Sequence, residues 1–324
     1  MAKRRKGRPV NGIVLLDKPV GGSSNQLLQK VRWLFQAQKA GHTGALDPLA
    51  SGMLPICLGE ATKFSQFLLE AEKAYEVTAH LGVRTTTCDA DGEVVERKAV
   101  TVTEAAVTQA CMSFLGKSKQ IPSMFSALKY QGKPLYQYAR QGIEVEREPR
   151  DIEIFELEII RMALPDVELR VKCSKGTYIR SLVDDIGQQL GCGAYVTRLH
   201  RTEVADYPTA KMVTVEQIEQ LRGAEDNPDL ASLDALLVPM ETAVARLPVV
   251  FVDSAQRKRF ESGQSVVDMQ GTSPVAGQAY QVRTLEADEQ FLGVGEGVVA
   301  PMDQPSARGS DRVFVSPKRR VVLD

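Results

Sequence analysis

The order of hydrophobic and polar positions divides the chain into elements. Gly12 to Leu16 is a short unbroken apolar run of the kind that forms a buried strand. Pro19, Gly21, Gly22, Ser23 and Ser24 make a turn into a helix that carries Leu27, Leu28, Val31, Leu34 and Phe35 on one face, with Ser23 or Ser24 as N-cap. Tyr75, Val77, Ala79 and Leu81 alternate with Glu76, Thr78 and His80, which predicts a strand buried on one side. A helix is predicted over Thr103 to Leu115, stopped by Gly116. A second alternating strand, Val167, Leu169, Val171 and Cys173, runs into a helix with Ile179, Leu182, Val183, Ile186 and Leu190 at helical spacing, closed by Gly191. Strands interleaved with helices predict an α+β domain built on a mixed sheet. Past the acidic stretch Gly223 to Pro239 the pattern changes at Leu247 and Pro248. Short β-rich pieces (Val249 to Val252, Ala279 to Thr284, Phe291 to Val294, Arg312 to Val315) then alternate with glycines, predicting a second, small β-rich module with its boundary near 248.

The length of 324 residues suits two domains, and 43% hydrophobic with 25% charged residues excludes collagenous or low-complexity chains. No apolar run approaches the roughly 20 residues of a membrane span, and the basic N-terminus lacks the apolar core of a signal peptide. A cytoplasmic protein is the expectation. Five scattered cysteines without a C-x-x-C pair fit neither a disulfide framework nor a zinc ribbon, and three dispersed histidines suggest no metal site.

The formal charge of −1 argues against a polyanion binder, but its distribution argues for one. Residues 1–8 hold Lys3, Arg4, Arg5, Lys6 and Arg8 with no acid, and 117–150 holds seven basic residues against Glu144, Glu146 and Glu148. The compensating acids cluster in 214–245 and 284–304. One basic face on a neutral protein points to RNA or DNA.

The densest motif is Gly41-His42-Thr43-Gly44-Ala45-Leu46-Asp47-Pro48-Leu49-Ala50-Ser51-Gly52-Met53-Leu54-Pro55. An isolated Asp-Pro reads as a cap or a turn, and followed by Leu-Ala it resembles a helix N-cap with proline at the first helical position. Here three glycines and two prolines flank one carboxylate, making a loop that a partner's backbone can approach. Such a carboxylate can act as a nucleophile toward an electron-poor carbon if it is ionised and held beside a cation. Arg180, one residue off an apolar stripe in Lys175-Gly176-Thr177-Tyr178-Ile179-Arg180, is the candidate for a bidentate pair. Tyr75 and Tyr178 stand at loop borders where a ring can pack in the core or stack on a base. Lys18-Pro-Val-Gly-Gly-Ser-Ser has phosphate-loop residue types in the wrong order, and Asp89-Ala-Asp91-Gly92 lacks the remaining EF-hand ligands and reads as a turn.

The 41–55 motif closely resembles the catalytic motif of the TruB family of tRNA pseudouridine synthases. Four further blocks agree in order and spacing: Leu16-Asp17-Lys18-Pro19, Lys73-Ala74-Tyr75-Glu76 with Leu81-Gly82, Lys175 to Leu182, and Leu199-His200-Arg201-Thr202. The resemblance covers about 10–215 and departs at Ser123 and Phe125, where the family has proline and tyrosine. It implies isomerisation of uridine 55 in the T-loop of tRNA without cofactor or metal. Asp47 would be the nucleophile, Arg180 its ion-pair partner, and Tyr75 the ring stacked on the flipped base. Tyr178 and Leu199 would line the pocket, His42 would fill the space the nucleotide leaves, and Lys18 and Lys63 would contact the RNA backbone. The resemblance further implies a pseudouridine synthase domain over 10–247 behind a flexible basic tail (1–9), and a PUA-like RNA-binding domain over 248–324. Segment 117–150, with Phe125, Tyr130, Tyr136 and Tyr138 among its basic residues, is expected to be a mobile RNA clamp. The expected partner is the T-arm of tRNA, with no membrane, no obligate protein partner and nothing requiring more than a monomer. The alternatives are a non-catalytic RNA-binding protein, a guide-RNA-dependent synthase of the same superfamily, and a carboxylate glycosidase, the last disfavoured because the motif holds no second carboxylate.

Overall fold

The computed structural model describes residues 7–271, 273–299 and 313–322; the basic cluster Lys3 to Lys6 and Arg312 lie outside them. β1 (Gly12–Lys18) leads through α1 (Ser24–Leu34) to β2 (Ala40–His42) and β3 (Ala50–Leu58). Helix α2 (Ser65–Glu70) precedes β4 (Lys73–Leu81), and a hairpin of β5 (Val83–Thr85) and β6 (Val94–Arg97) precedes α3 (Glu104–Met112) and β7 (Gly116–Gln120). A small hairpin, β8 (Lys129–Tyr130) with β9 (Lys133–Pro134), and the short α4 (Leu135–Ala139) follow before β10 (Arg150–Ala163). Then come β11 (Asp166–Cys173), α5 (Ile179–Gln189), β12 (Ala194–Val204), α6 (Val215–Arg222) and α7 (Leu230–Asp234).

The main sheet runs β1-β3-β12-β4-β11-β10-β7, with β2 paired to β3. Every pairing in it is antiparallel except β12 with β3, so the sheet is mixed, as expected. The two strand patterns in the sequence have different physical causes. On β1, Val14 and Leu16 enter the core beneath α1, while Ile13 and Leu15 enter a second core with Phe64, Leu68 and Val244. A strand covered on both faces needs an unbroken apolar run. Strand β4 buries Tyr75, Val77, Ala79 and Leu81 but leaves Glu76, Thr78 and His80 partly exposed, hence its alternation.

Ser23 caps α1 with a reciprocal Gln26 contact. Helix α3 stops at Met112, three residues short of the expected end. The Ser113 hydroxyl donates to the Ala110 carbonyl there and satisfies the last turn, and Gly116 opens β7 instead of closing the helix.

From Val249 the chain forms its own sheet, β13 (Val249–Val252), β14 (Ala279–Thr284), β15 (Phe291–Val299) and β16 (Val313–Arg320), with α8 (Ser254–Glu261) packed on it. Val250, Val252, Phe260, Val282 and Val315 make its separate core. Phe291 reaches out of this sheet to Phe64, with ring centroids 5.2 Å apart, and joins it to the second core of the main domain.

Candidate active site

Topology explains why distant motifs meet. Strand β12 lies between β3 and β4, pairing Leu199 with Ala50 and Arg201 with Gly52 on one side and Arg201 with Tyr75 on the other. The β2–β3 loop, Tyr75 and Leu199 therefore share one end of the sheet. Strand β11 pairs Val171 with Tyr75 and delivers the first turn of α5, with Arg180, to the same place.

No helix follows Pro48, because Ala50 already belongs to β3; Asp47-Pro48 is a turn closed by the Ala50 N–H donating to the Asp47 carbonyl at 3.1 Å. Of the two readings of Asp-Pro, cap or turn, the structure has the turn. The loop is pinned by groups outside it. The Ser24 hydroxyl donates to the Leu46 carbonyl at 2.9 Å and accepts from the Leu46 N–H at 2.8 Å. The Gly21 N–H donates to the Pro48 carbonyl at 2.7 Å. Lys18, expected at the RNA backbone, is fully buried and donates to the carbonyls of Pro19 and Ala50 at 2.8 and 2.7 Å, with Pro48 at 3.4 Å. Its ammonium faces inward and positions the Asp47 loop. Gly52 is required on two counts: its φ is +97°, and a Cβ there would lie 2.3 Å from the Arg201 carbonyl oxygen.

Arg180 is 4% exposed and is the hub of the site. Its Nε lies 2.9 Å from Asp47 Oδ2. Its Nη1 lies 3.2 Å from Asp89 Oδ2 and donates to the Thr87 carbonyl at 2.9 Å, and its Nη2 donates to the Phe125 carbonyl at 2.9 Å. Its contact with Asp47 is made through Nε, while Nη1 and Nη2 hold the neighbouring turn and the Phe125 carbonyl. A buried guanidinium with this many partners has one available orientation.

The turn at Asp89 thus does more than reverse the chain. Asp89 is 3% exposed, accepts from the Thr87 hydroxyl and from the Asp91 N–H, and holds Arg180 from behind. Sequence reasoning missed it because nothing local separates it from an ordinary Asp-x-Asp-Gly turn. Gln120 was missed as well. Its buried amide accepts from the Tyr178 N–H at 2.8 Å and donates to the Tyr178 carbonyl at 3.1 Å, fixing the start of α5 from β7, 58 residues away. Arg201, named in a motif but given no role, is 2% exposed and donates to the carbonyls of Met53 and Gly44 at 2.7 and 3.1 Å, bracing the Asp47 loop at both ends.

These elements enclose a cavity of about 200 Å³ lined by Asp47, Tyr75, Ser126, Tyr178, Arg180 and Leu199 among others. It is smaller than the roughly 300–1,000 Å³ of a drug-sized ligand site and suits a single planar ring. Five of the residues expected at the site line it together. Asp47 keeps 42% of its side chain exposed, so the carboxylate sits at the mouth with its cation behind it. Desolvation pushes its carboxyl above the ordinary carboxylate range, while Arg180 first, and then Lys18, pull it back. Burial likewise raises Tyr75 and Tyr178, which remain neutral phenols.

Besides Lys18, two expected residues stand apart from the cavity. His42, at the end of β2, has an imidazole that burial and Arg201 drive toward the neutral form and a buried Nδ1 without a hydrogen-bond partner. Lys63, expected at the RNA backbone, pairs with Glu60 and donates to the Arg320 carbonyl at 2.8 Å. It ties the main domain to β16.

Comparison with known proteins gives the class first: the two families whose models match are pseudouridylate synthases. The N-terminal domain of TruB family pseudouridylate synthase matches residues 32–179, and the tRNA pseudouridylate synthase B C-terminal domain matches 180–245. The chain belongs to the TruB family. It is 54% identical to tRNA pseudouridine synthase B of Vibrio parahaemolyticus, over 93% of this chain and 97% of that one. It is 56% identical to tRNA pseudouridine synthase B of Aeromonas salmonicida, over 93% and 96%. Among solved structures, a chain of a Cbf5-Nop10-Gar1 complex superimposes with a TM-score of 0.70 at 26% identity, covering 95% of this chain and 84% of that one. A chain of an H/ACA RNP bound to a substrate RNA containing 2'-deoxyuridine shares the fold with a TM-score of 0.70 at 23% identity, covering 100% and 92%.

Proposed function

We propose that this enzyme isomerises uridine 55 in the T-loop of tRNA to pseudouridine, with Asp47 as the nucleophile acting on a flipped-out nucleotide. The observation that carries this reading is the Asp47 carboxylate, backed by Arg180 at 2.9 Å, at the mouth of a ring-sized cavity walled by Tyr75, Tyr178 and Leu199. The names of the relatives supply the tRNA. In the reaction the bond from N1 of uracil to C1′ of ribose breaks, a bond from C5 to C1′ forms, the C5 proton leaves to solvent and N1 takes one up, so atoms balance with no outside reagent. The target atom is unreachable inside a stacked loop, and flipping is the general solution. An ionised Asp47 supplies the electron pair, Arg180 orients it, and Tyr75 stacks on the base while Tyr178 and Leu199 retain the detached uracil as it turns. His42, outside the cavity, fills the place of the extruded nucleotide.

Affinity comes from phosphate contacts. Lys117, Lys119, Lys129, Lys133, Arg140 and Arg150 are exposed along 117–150, which supports this segment as a clamp on the RNA. The 248–324 module is read as a PUA-like second RNA-binding surface, and residues 1–9 as a basic tail.

The test uses an unmodified tRNA transcript tritiated at uracil C5. Wild type releases tritium from the T-loop position without added protein or guide RNA. Asp47→Asn releases none yet binds the same tRNA within about threefold, because many phosphate contacts dominate affinity. Tight binding by wild type without release refutes the reading and favours a binding-only or guide-dependent protein.

A further inference from the structure

Among the described residues only two buried side-chain polar atoms lack a hydrogen-bond partner, His42 Nδ1 and Ser126 Oγ. Buried hydroxyls are nearly always paired, so each exception calls for a reason. Ser126 is 5% exposed and lines the Asp47 cavity, whereas His42 does not. Its backbone is held on both sides: the preceding Phe125 carbonyl accepts from Arg180 Nη2 at 2.9 Å, and the Ser126 carbonyl accepts from the Tyr136 N–H at 3.1 Å. Ser126 is therefore held at the cavity wall by a backbone fixed both to Arg180 and to α4. Its polar neighbour on the wall is the Tyr178 phenol, which feels the Ser126 hydroxyl without the two meeting in normal hydrogen-bond geometry, whereas the Thr177 hydroxyl already donates to the Ser174 carbonyl at 3.0 Å.

We propose that Ser126 reads the substrate base, its hydroxyl donating to a carbonyl oxygen of uracil when the nucleotide occupies the cavity. The inference rests on the pocket being the uracil site. Uracil has a pseudo-twofold axis through N3 and C6: turning the ring about it exchanges N1 with C5 and, at the same time, O2 with O4. A donor that holds one carbonyl before the turn meets the other carbonyl in the same place afterwards. One hydroxyl can thus hold the ring in the substrate and product orientations, and it rotates freely enough to follow small differences between them. Cytosine presents an amino group in place of O4, so the turned orientation of that base would lose the contact. Arg180 and Ser126 are joined through the Phe125 carbonyl, so the group that orients the nucleophile and the group that reads the base are built on one connected frame.

The experiment compares wild type, Ser126→Ala and Asp47→Asn as full-length proteins on transcripts carrying uridine, 2-thiouridine or 4-thiouridine at the target, following pseudouridine (or thiopseudouridine) formation under single turnover. Sulfur accepts hydrogen bonds poorly. The expected result is a three- to tenfold lower rate for Ser126→Ala on uridine, the loss of one neutral hydrogen bond, with unchanged melting temperature and tRNA affinity. Wild type slows on the thio substrates and Ser126→Ala shows no comparable further loss. A Ser126→Ala rate within twofold of wild type, or equal sensitivity to sulfur in both proteins, overturns the proposal while leaving the proposed function standing. Inactivity of wild type itself, matching Asp47→Asn, removes the uracil site and the proposal with it.

Discussion

Arg180→Ala should separate what the guanidinium does for the fold from what it does for Asp47. The side chain is 4% exposed and faces two carboxylates in different settings: the Asp89 side chain is also 4% exposed, and that of Asp47 is 42% exposed. At 3.2 Å and an effective dielectric constant of about 20, the Asp89 attraction is roughly 5 kcal/mol before desolvation is subtracted. Removing the cation strands Asp89 in the interior, and breaking such a pair costs about 3–5 kcal/mol. The half-exposed Asp47 can hydrate, so its share of the stability is about 0–1 kcal/mol. Urea denaturation should show Arg180→Ala destabilised by about 3–5 kcal/mol and Asp47→Asn by less than about 1 kcal/mol. Adding Asp89→Asn to Arg180→Ala removes the stranded charge and should recover a measurable part of the loss, about 1–3 kcal/mol. Tritium release should not recover, because Asp47 still lacks its cation. No recovery of stability in the double variant, or an Asp47→Asn cost equal to that of Asp89→Asn alone, would refute this division of roles.

Three further outcomes are expected. Gly52→Ala must place a Cβ 2.3 Å from the Arg201 carbonyl at a φ of +97°, and denaturation should register a loss of more than about 2 kcal/mol, whereas the open, solvent-facing Gly132 should tolerate alanine far better despite its φ of +82°. Ser24→Ala removes both side-chain bonds to Leu46, and should cost about 1–3 kcal/mol in urea denaturation and lower kcat more than it raises KM, because the Asp47 loop loses its anchor while the RNA-binding surface is untouched. With Asp47 as the proposed nucleophile, its ionised form is the one that would act, and desolvation raises its pKa, so kcat/KM should fall on the acid side at a pH above the ordinary aspartate value of 3.8, and Lys18→Met should move that limb higher still by removing a charge that pulls the pKa down. A limb that stays at the ordinary aspartate value in both proteins would contradict the assigned electrostatics.

The sequence by itself determined the elements whose signal is local. The strand at Tyr75 to Leu81, the amphipathic helix after Tyr178 and the cap at Ser23 follow from periods of two and 3.6 residues and from one side chain reaching its own backbone. The motif around Asp47 was legible for a similar reason: glycines, prolines and one carboxylate crowded into fifteen residues describe a loop built for close approach. Roles that depend on depth and direction were not legible. Lysines look alike in sequence, but Lys18 points into the protein toward three carbonyls and Lys63 toward Glu60 and the last strand, because β1 and its neighbouring turn run through the interior and the C-terminal module docks beside Glu60. Asp89, Gln120 and Arg201 acquire their parts only when sheet order brings β3, β12, β4 and the first turn of α5 to one end of the sheet. Each acts on a backbone or side chain tens of residues away, and no local period encodes such a contact. Tertiary structure alone decided which charges are buried against each other, because burial is a property of what the rest of the chain places overhead.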